Sequence, residues 1–152
     1  GGRLFAAGSA GERFAVRNSG ALAVVEGIGD NGCEYMTGGV VCVLGHTGVN
    51  FGAGMTGGFA YVLNEQDKFT KRLNNELVEL TPLTTIPIHE QHLQQLIIEH
   101  AQLTQSTRAN HILTNWMQYR TQFVLVKPKA NSLDTLLDQY AIRNTDLTIK
   151  TL

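Results

Sequence analysis

The sequence predicts a mainly β fold: a parallel β-helix, that is, a solenoid of about 19-residue coils, followed by a small α-helical tail. Three observations point there. Met36-Thr37-Gly38-Gly39 recurs nineteen residues later as Met55-Thr56-Gly57-Gly58, and each copy leads into an apolar run, Val40 to Leu44 and Phe59 to Leu63. A step back by the same spacing reaches Asn18-Ser19-Gly20 and the run Ala21 to Val25, and one more step reaches Gly1 ahead of Leu4, Phe5 and Ala6. All sixteen glycines fall between Gly1 and Gly58, so the chain changes regime where the repeat fades. A fixed period near twenty residues marks stacked units that bury one another, and short β-type runs cornered by glycine are strands rather than helices.

In such a stack, equivalent residues lie one above another at about 4.8 Å, so each column should keep one chemical character. The nineteen-residue step gives Val24, Val43 and Val62 as one column and Val25, Leu44 and Leu63 as a second. Asn18, Thr37 and Thr56 form a polar column suited to a ladder of side-chain hydrogen bonds. Gly20, Gly39 and Gly58 form a corner column, where positive φ or close backbone approach excludes a Cβ.

Taken in order, residues 3–17 carry an imperfect coil with strand candidates Leu4 to Ala6 and Phe14 to Val16, and Gly20 to Leu63 holds the regular coils. Asn64 to Lys68 is a polar loop. Phe69 to Leu80 reads as a last coil without glycines, its strand at Leu77-Val78-Glu79-Leu80, the atypical terminal unit expected of a solenoid. Pro82 and Pro87 close the β part. Leu93, Leu96, Ile97 and His100 then recur at helical spacing over Glu90 to Gln102. Thr104 to Thr107 supply capping hydroxyls, and Ala109, Ile112, Leu113, Trp116 and Met117 mark a second helix, antiparallel to the first. Phe123 to Val126 reads as a strand stopped by Pro128, and Ser132 with Leu133, Leu136, Leu137 and Tyr140 as a short helix. Residues 141–152 carry no firm pattern. The division is thus coils over 1–80 and tail over 81–152.

Twelve basic and thirteen acidic residues among 152 leave a net charge of −1, which argues against nucleic acid or an anionic membrane surface as partner. No apolar run has membrane-spanning length and no leader pattern opens the chain, so a soluble cytoplasmic protein is expected. Cys33 and Cys42 occupy different places in the repeat and read as free, buried thiols. The repeat is already running at Gly1, so the chain reads as the end piece of something longer, with an open coil end able to associate with another copy.

No constellation names a reaction, so the expectation is no catalytic, cofactor-binding or metal site. Gly27-Ile28-Gly29-Asp30-Asn31-Gly32 has the G-x-G-x-x-G form, but Cys33 to Gly39 is no helix and no acidic residue stands at 50–53, so corner glycines are the better account. His89, His92 and His100 share nearly one helical face without a zinc-ligand pattern, and read as exposed or boundary histidines beside a leucine stripe. Glu26, Asp30 and Glu34 fall near His46 in repeat register, where corner carboxylates are usually solvated. Cys42, mid-strand, reads as an inert thiol.

Several motifs in order resemble one family: Gly52-Ala53-Gly54-Met55-Thr56-Gly57-Gly58, then Asn74-Asn75-Glu76-Leu77-Val78-Glu79-Leu80, then Thr104-Gln105-Ser106 with Ala109, Ile112-Leu113 and Trp116, and finally Phe123-Val124, Val126 and Pro128. Over about residues 1–130 the chain resembles the C-terminal GXGXG domain of the glutamate synthase large subunit. It departs at Leu73, where the family often has Cys, and at Gln105, where Gly usually ends the first tail helix and Gln should make that end tighter or more strained. The resemblance implies a right-handed β-helix at the end of a multidomain enzyme that makes two glutamates from glutamine and 2-oxoglutarate. It implies FMN and a 3Fe-4S cluster elsewhere in that parent and none in this chain, with the FMN-binding, central and amidotransferase domains as partners. Here the chain would be a structural, non-catalytic spacer. Two other readings stand beside it: a scaffold subunit of another oxidoreductase such as formylmethanofuran dehydrogenase, which shares the coil type, or a small stand-alone enzyme with a site between coil and tail.

Overall fold

In the computed structural model, which describes residues 2–138 and 140, the chain stacks coils around one six-stranded sheet. The strands are β1 (Arg3–Phe5), β2 (Ser19–Val25), β3 (Thr37–Val43), β4 (Gly57–Leu63), β5 (Val78–Pro82) and β6 (Phe123–Pro128). The helices are α1 (Pro87–Thr104), α2 (Thr107–Thr114) and α3 (Trp116–Tyr119), and residues 133–138 are also helical. β1 to β4 pair in parallel, one per coil, as the repeat requires. The return path of each coil is an arc in which alternate residues have positive φ. Arg13, Asn31 and Asn50 are stacked, as are Ala15, Cys33 and Gly52, and Arg17, Tyr35 and Gly54.

Both faces of the sheet are covered, which explains why its strands read as unbroken apolar runs. The inner face, against the arcs, packs Val25, Val41, Val43, Ala60, Val62, Val124 and Val126 with Ile28, Met36, Phe51 and Met55. The outer face packs Leu22, Val24, Val40, Phe59, Tyr61 and Leu125 against Leu93, Leu96, Ile97 and Ile112 of the helices. Cys42 lies in the outer core and Cys33 in the inner one, both as free thiols.

The columns are correct between β3 and β4 from Val40 on, though Thr37 stands beside Gly57 and not Thr56, and they are wrong by one residue along β2 from Leu22 on. Phe59 stands beside Val40 and Val62 beside Val43, at nineteen residues, but Val40 stands beside Leu22 and Val43 beside Val25, at eighteen. Val24 therefore joins Cys42 and Tyr61 on the outer face, while Val25 joins Val43 and Val62 on the inner one. A bulge is present at both steps, Gly20 and Ala21 opposing Gly39 alone and Gly38 and Gly39 opposing Gly58 alone, so the difference arises before it. In the arcs Arg17 donates seventeen residues on, to the Glu34 carbonyl, but Tyr35 eighteen on, to that of Ala53, and a one-residue slip moves every later side chain to the other face. Gly39 and Gly58 do have positive φ, +88° and +69°, and an added Cβ would lie 2.3 Å from the Ala21 carbonyl oxygen and 2.6 Å from that of Gly39. Gly20 shares neither property.

The expected ladder of Asn18, Thr37 and Thr56 does not form through side chains. Asn18 turns back on its own strand, accepting from Gly20 and Ala21 amides and donating to the Ala21 carbonyl. An asparagine ladder stands instead at the arc, where Asn50 donates to Asn31 and Asn74 to Asn50, each at 2.8 Å.

The last strand expected by period is present as β5, yet it does not lie on β4. β6, arriving from beyond the helices, inserts between them and pairs antiparallel with both. The loop 64–72 and the three helices precede β6; the helices cover the outer face, whereas Phe69 of the loop packs in the inner core. Pro87 opens α1, and Gln105 ends it in the left-handed conformation, φ +55°, where glycine is the ordinary choice. Ser106 caps α2 by accepting the Ala109 amide at 2.9 Å. Leu133, Leu136 and Leu137 pack on the same outer core. Residues 141–152, which carried no firm sequence pattern, lie outside the described residues.

Candidate functional site

The outer face of the sheet buries two polar clusters beneath α1. In the first, Glu26, placed at the corner where β2 ends, meets the C-terminal end of α1 and the start of α2. Its Oε2 accepts from Ser106 Oγ at 2.6 Å and lies 2.8 Å from His100 Nε2. His100 is fully buried, and Ser106 is 3% exposed. Since Glu26 accepts, His100 carries its proton on Nε2, and its Nδ1 faces apolar surroundings without a partner among the described residues.

The order of these groups decides what they do. A hydroxyl is activated as a nucleophile by an imidazole that takes its proton, with the acid behind the imidazole. Here the carboxylate sits in the middle, and both Ser106 and His100 donate to it. Ser106 also accepts the Ala109 amide. The hydroxyl is committed on both sides and almost wholly buried, so the cluster ties coil to helices.

The second cluster centres on Tyr61 of β4. Its hydroxyl lies 2.8 Å from His89 Nδ1 and 2.7 Å from His92 Nδ1, one helical turn apart on α1. A phenol has one proton, so it donates to one imidazole and accepts from the other, which fixes opposite tautomers on the two rings. Phe59 closes the cluster edge-on against both histidines and Tyr61. Burial pushes His92 down to about 4, with His89 adding to the effect. Burial also lowers His89, opposed by the backbone of Leu133, and raises Tyr61 well above the usual phenol range. All three are therefore neutral at ordinary pH, and they form a hydrogen-bonded contact and not a charged centre.

With this geometry the chain can be compared with known proteins. The family described as GXGXG motif matches residues 1–129. The chain belongs to that family. It is 53% identical over 132 residues to a ferredoxin-dependent glutamate synthase of Pyropia yezoensis, covering 87% of this chain and 8% of that protein. It is 51% identical over 128 residues to the ferredoxin-dependent glutamate synthase 1 of Arabidopsis thaliana, chloroplastic/mitochondrial, covering 84% and 8%. It is 49% identical over 128 residues to the NADH glutamate synthase of Schizosaccharomyces pombe, covering 84% and 6%. The chain thus spans less than a tenth of the length of these relatives.

The structure of this GXGXG chain moves several of the residues picked out by the sequence. Glu26 is not a solvated corner carboxylate, because α1 and α2 close over it. His89 and His100 are buried rather than exposed, since they face the sheet. His46 meets Arg72 and none of the nearby carboxylates, while Asp30 accepts the Val49 amide. After Gly32 the chain turns into an arc, not a helix, so the G-x-G-x-x-G stretch presents no helix N-terminus to a phosphate. Among the described residues, no group of three or more His, Cys, Asp or Glu converges. Cys33 and Cys42 lie on opposite faces of the sheet, and burial raises both thiols far above their ordinary range, so they cannot serve together as thiolate ligands of an iron–sulfur cluster. Among the described residues, no helix is long and apolar enough to cross a membrane.

Proposed function

We propose that this chain is a structural, non-catalytic domain of a glutamate synthase large subunit, with coils over 1–80 and tail over 81–152 acting together as a rigid support. In this reading the parent makes two glutamates from glutamine and 2-oxoglutarate in the cytoplasm. The FMN-binding, central and amidotransferase domains pack on the support, and FMN and the 3Fe-4S cluster belong to them. The observation that carries the reading is the direction of the hydrogen bonds at Glu26. The most enzyme-like group among the described residues has its carboxylate between serine and imidazole and its hydroxyl buried as the cap of α2, an order that locks helices to coil. The similarity to glutamate synthases of two electron-donor types, from three organisms, supports the parent.

The test is direct. Given glutamine, 2-oxoglutarate and a reductant, the chain alone should form no glutamate and should carry no FMN through gel filtration. In the full-length subunit, Glu26→Ala should lower the unfolding midpoint while turnover per bound flavin stays within about twofold. Glutamate formation by the chain, or FMN retained on it, would overturn the proposal.

A further inference from the structure

A second feature lies away from both buried clusters, where the coil ladder opens. Through the lower coils the corner is tied coil to coil: Ala10 donates to the Gly27 carbonyl and Ile28 to that of His46. The next coil does not continue this. After β4 the chain enters the tight turn Glu65–Asp67 and rejoins the stack where Phe51 donates to the Arg72 carbonyl. Between these points lies a cleft of about 240 Å³.

Its walls are unbalanced in hydrogen-bonding capacity. Arg72 Nη1 reaches back to the Thr47 carbonyl at 3.0 Å and to His46 Nδ1 at 3.2 Å. A guanidinium only donates, so His46 accepts on Nδ1 and carries its proton on Nε2. Glu65 is engaged by Arg108 at 2.7 Å. One Glu65 oxygen is thereby taken; against its other oxygen and the Gln66 amide oxygen stand more donors: the rest of the Arg72 fork, His46 Nε2–H, and the Lys68 ammonium, which has no side-chain partner among the described residues. The turn carrying Lys68 is itself built, because Asn64 accepts the Phe69 amide and donates to Asp67 and Thr70. Asp67 does not line the cleft.

We infer that this cleft binds a small oxyanion, the carboxylate or phosphate group of a metabolite-sized ligand, held by Arg72, Lys68 and His46. Cations with spare donors around a small concavity are the arrangement that recognises such groups. The inference is independent of the scaffold reading, since it concerns binding and not catalysis.

The experiment is NMR of the chain with His46 ring signals assigned, titrated separately with inorganic phosphate and with succinate at constant ionic strength set by chloride. A saturable His46 shift is expected with at least one probe: phosphate alone assigns a phosphate-bearing ligand, succinate alone a carboxylate, and both the shared oxyanion chemistry. Arg72→Gln should weaken the response about tenfold and Lys68→Gln at least about threefold. Lys68 is exposed and unpartnered, so its variant keeps the test open should Arg72→Gln fail to fold. No shift, a shift that rises linearly without saturating, or one unchanged in Lys68→Gln would mean an adventitious ion only and would overturn the assignment.

Discussion

The two faces of the sheet are built from the same strands by different rules. On the inner face the neighbours are further turns of the same repeat, and small apolar side chains such as Ala23, Val41 and Ala60 stack on near-copies of themselves. On the outer face the neighbours are helices with no repeat, and there the sheet carries Glu26 and Tyr61, each matched to histidines of α1. Apolar stacking accepts any similar surface, whereas a buried carboxylate or phenol accepts only the partner that satisfies it. The inner face sets how the coils stack, and the outer face sets which helix docks and where.

That contrast breaks most severely at the corner glycines that let the coils approach. Gly39→Val should cost more than about 3 kcal/mol, because φ is +88° and the new Cβ would meet the backbone of Ala21, which cannot move aside. Gly20→Val, at the position the repeat makes equivalent, should cost within about 1 kcal/mol, since nothing lies within 4 Å of its Cβ. Urea unfolding of the two variants side by side measures the difference, and equal costs would contradict the bulge at β2.

On the outer face, Glu26→Ala should destabilise by about 2–4 kcal/mol, because it strands a buried hydroxyl and a fully buried imidazole N–H together. A double-mutant cycle with His100→Ala should show non-additivity of about 1 kcal/mol or more. Tyr61→Phe should cost less, about 1–3 kcal/mol, since it leaves both Nδ1 atoms without their phenol but removes no charge. The smallest effect is one of pH. The folded-state pKa of His92 is depressed to about 4, below its ordinary value near 6.5, so the folded state binds fewer protons than the unfolded. Its contribution is fully present above about pH 6.5 and is lost as pH falls toward 4, on the order of 1–2 kcal/mol after allowance for partial exposure. His92→Gln should flatten that part of the stability–pH curve.

The sequence showed the strands because a nineteen-residue repeat is local information, and the capping hydroxyls before α2 were legible for the same reason. The β2 register was not. Gly20 and Ala21 can be read as corner or as strand, and the apolar run that follows fits either face, so only the three-dimensional packing selects a step of eighteen. The insertion of β6 was equally hidden, because it depends on a strand about sixty residues from its partner finding the exposed edge of β4. The outer-face clusters lay furthest from view: Glu26 finds His100 and Ser106 across 74 and 80 residues, and a lone glutamate after an apolar run carries no mark of that pairing. A partial signal existed in His89, His92 and His100 sharing one face of an amphipathic helix, since three histidines on a buried stripe need partners there.

The claim that coil and helices form one rigid support is tested most directly by native-state hydrogen exchange, comparing amides of α1 with those of β3. The account predicts that both are protected to within about 1 kcal/mol of the same opening free energy, and that Glu26→Ala lowers α1 first. Exchange of α1 through a separate, low-energy opening while β3 remains fully protected would show that the helices are a loose attachment, and the chain could not then serve as the support proposed for it.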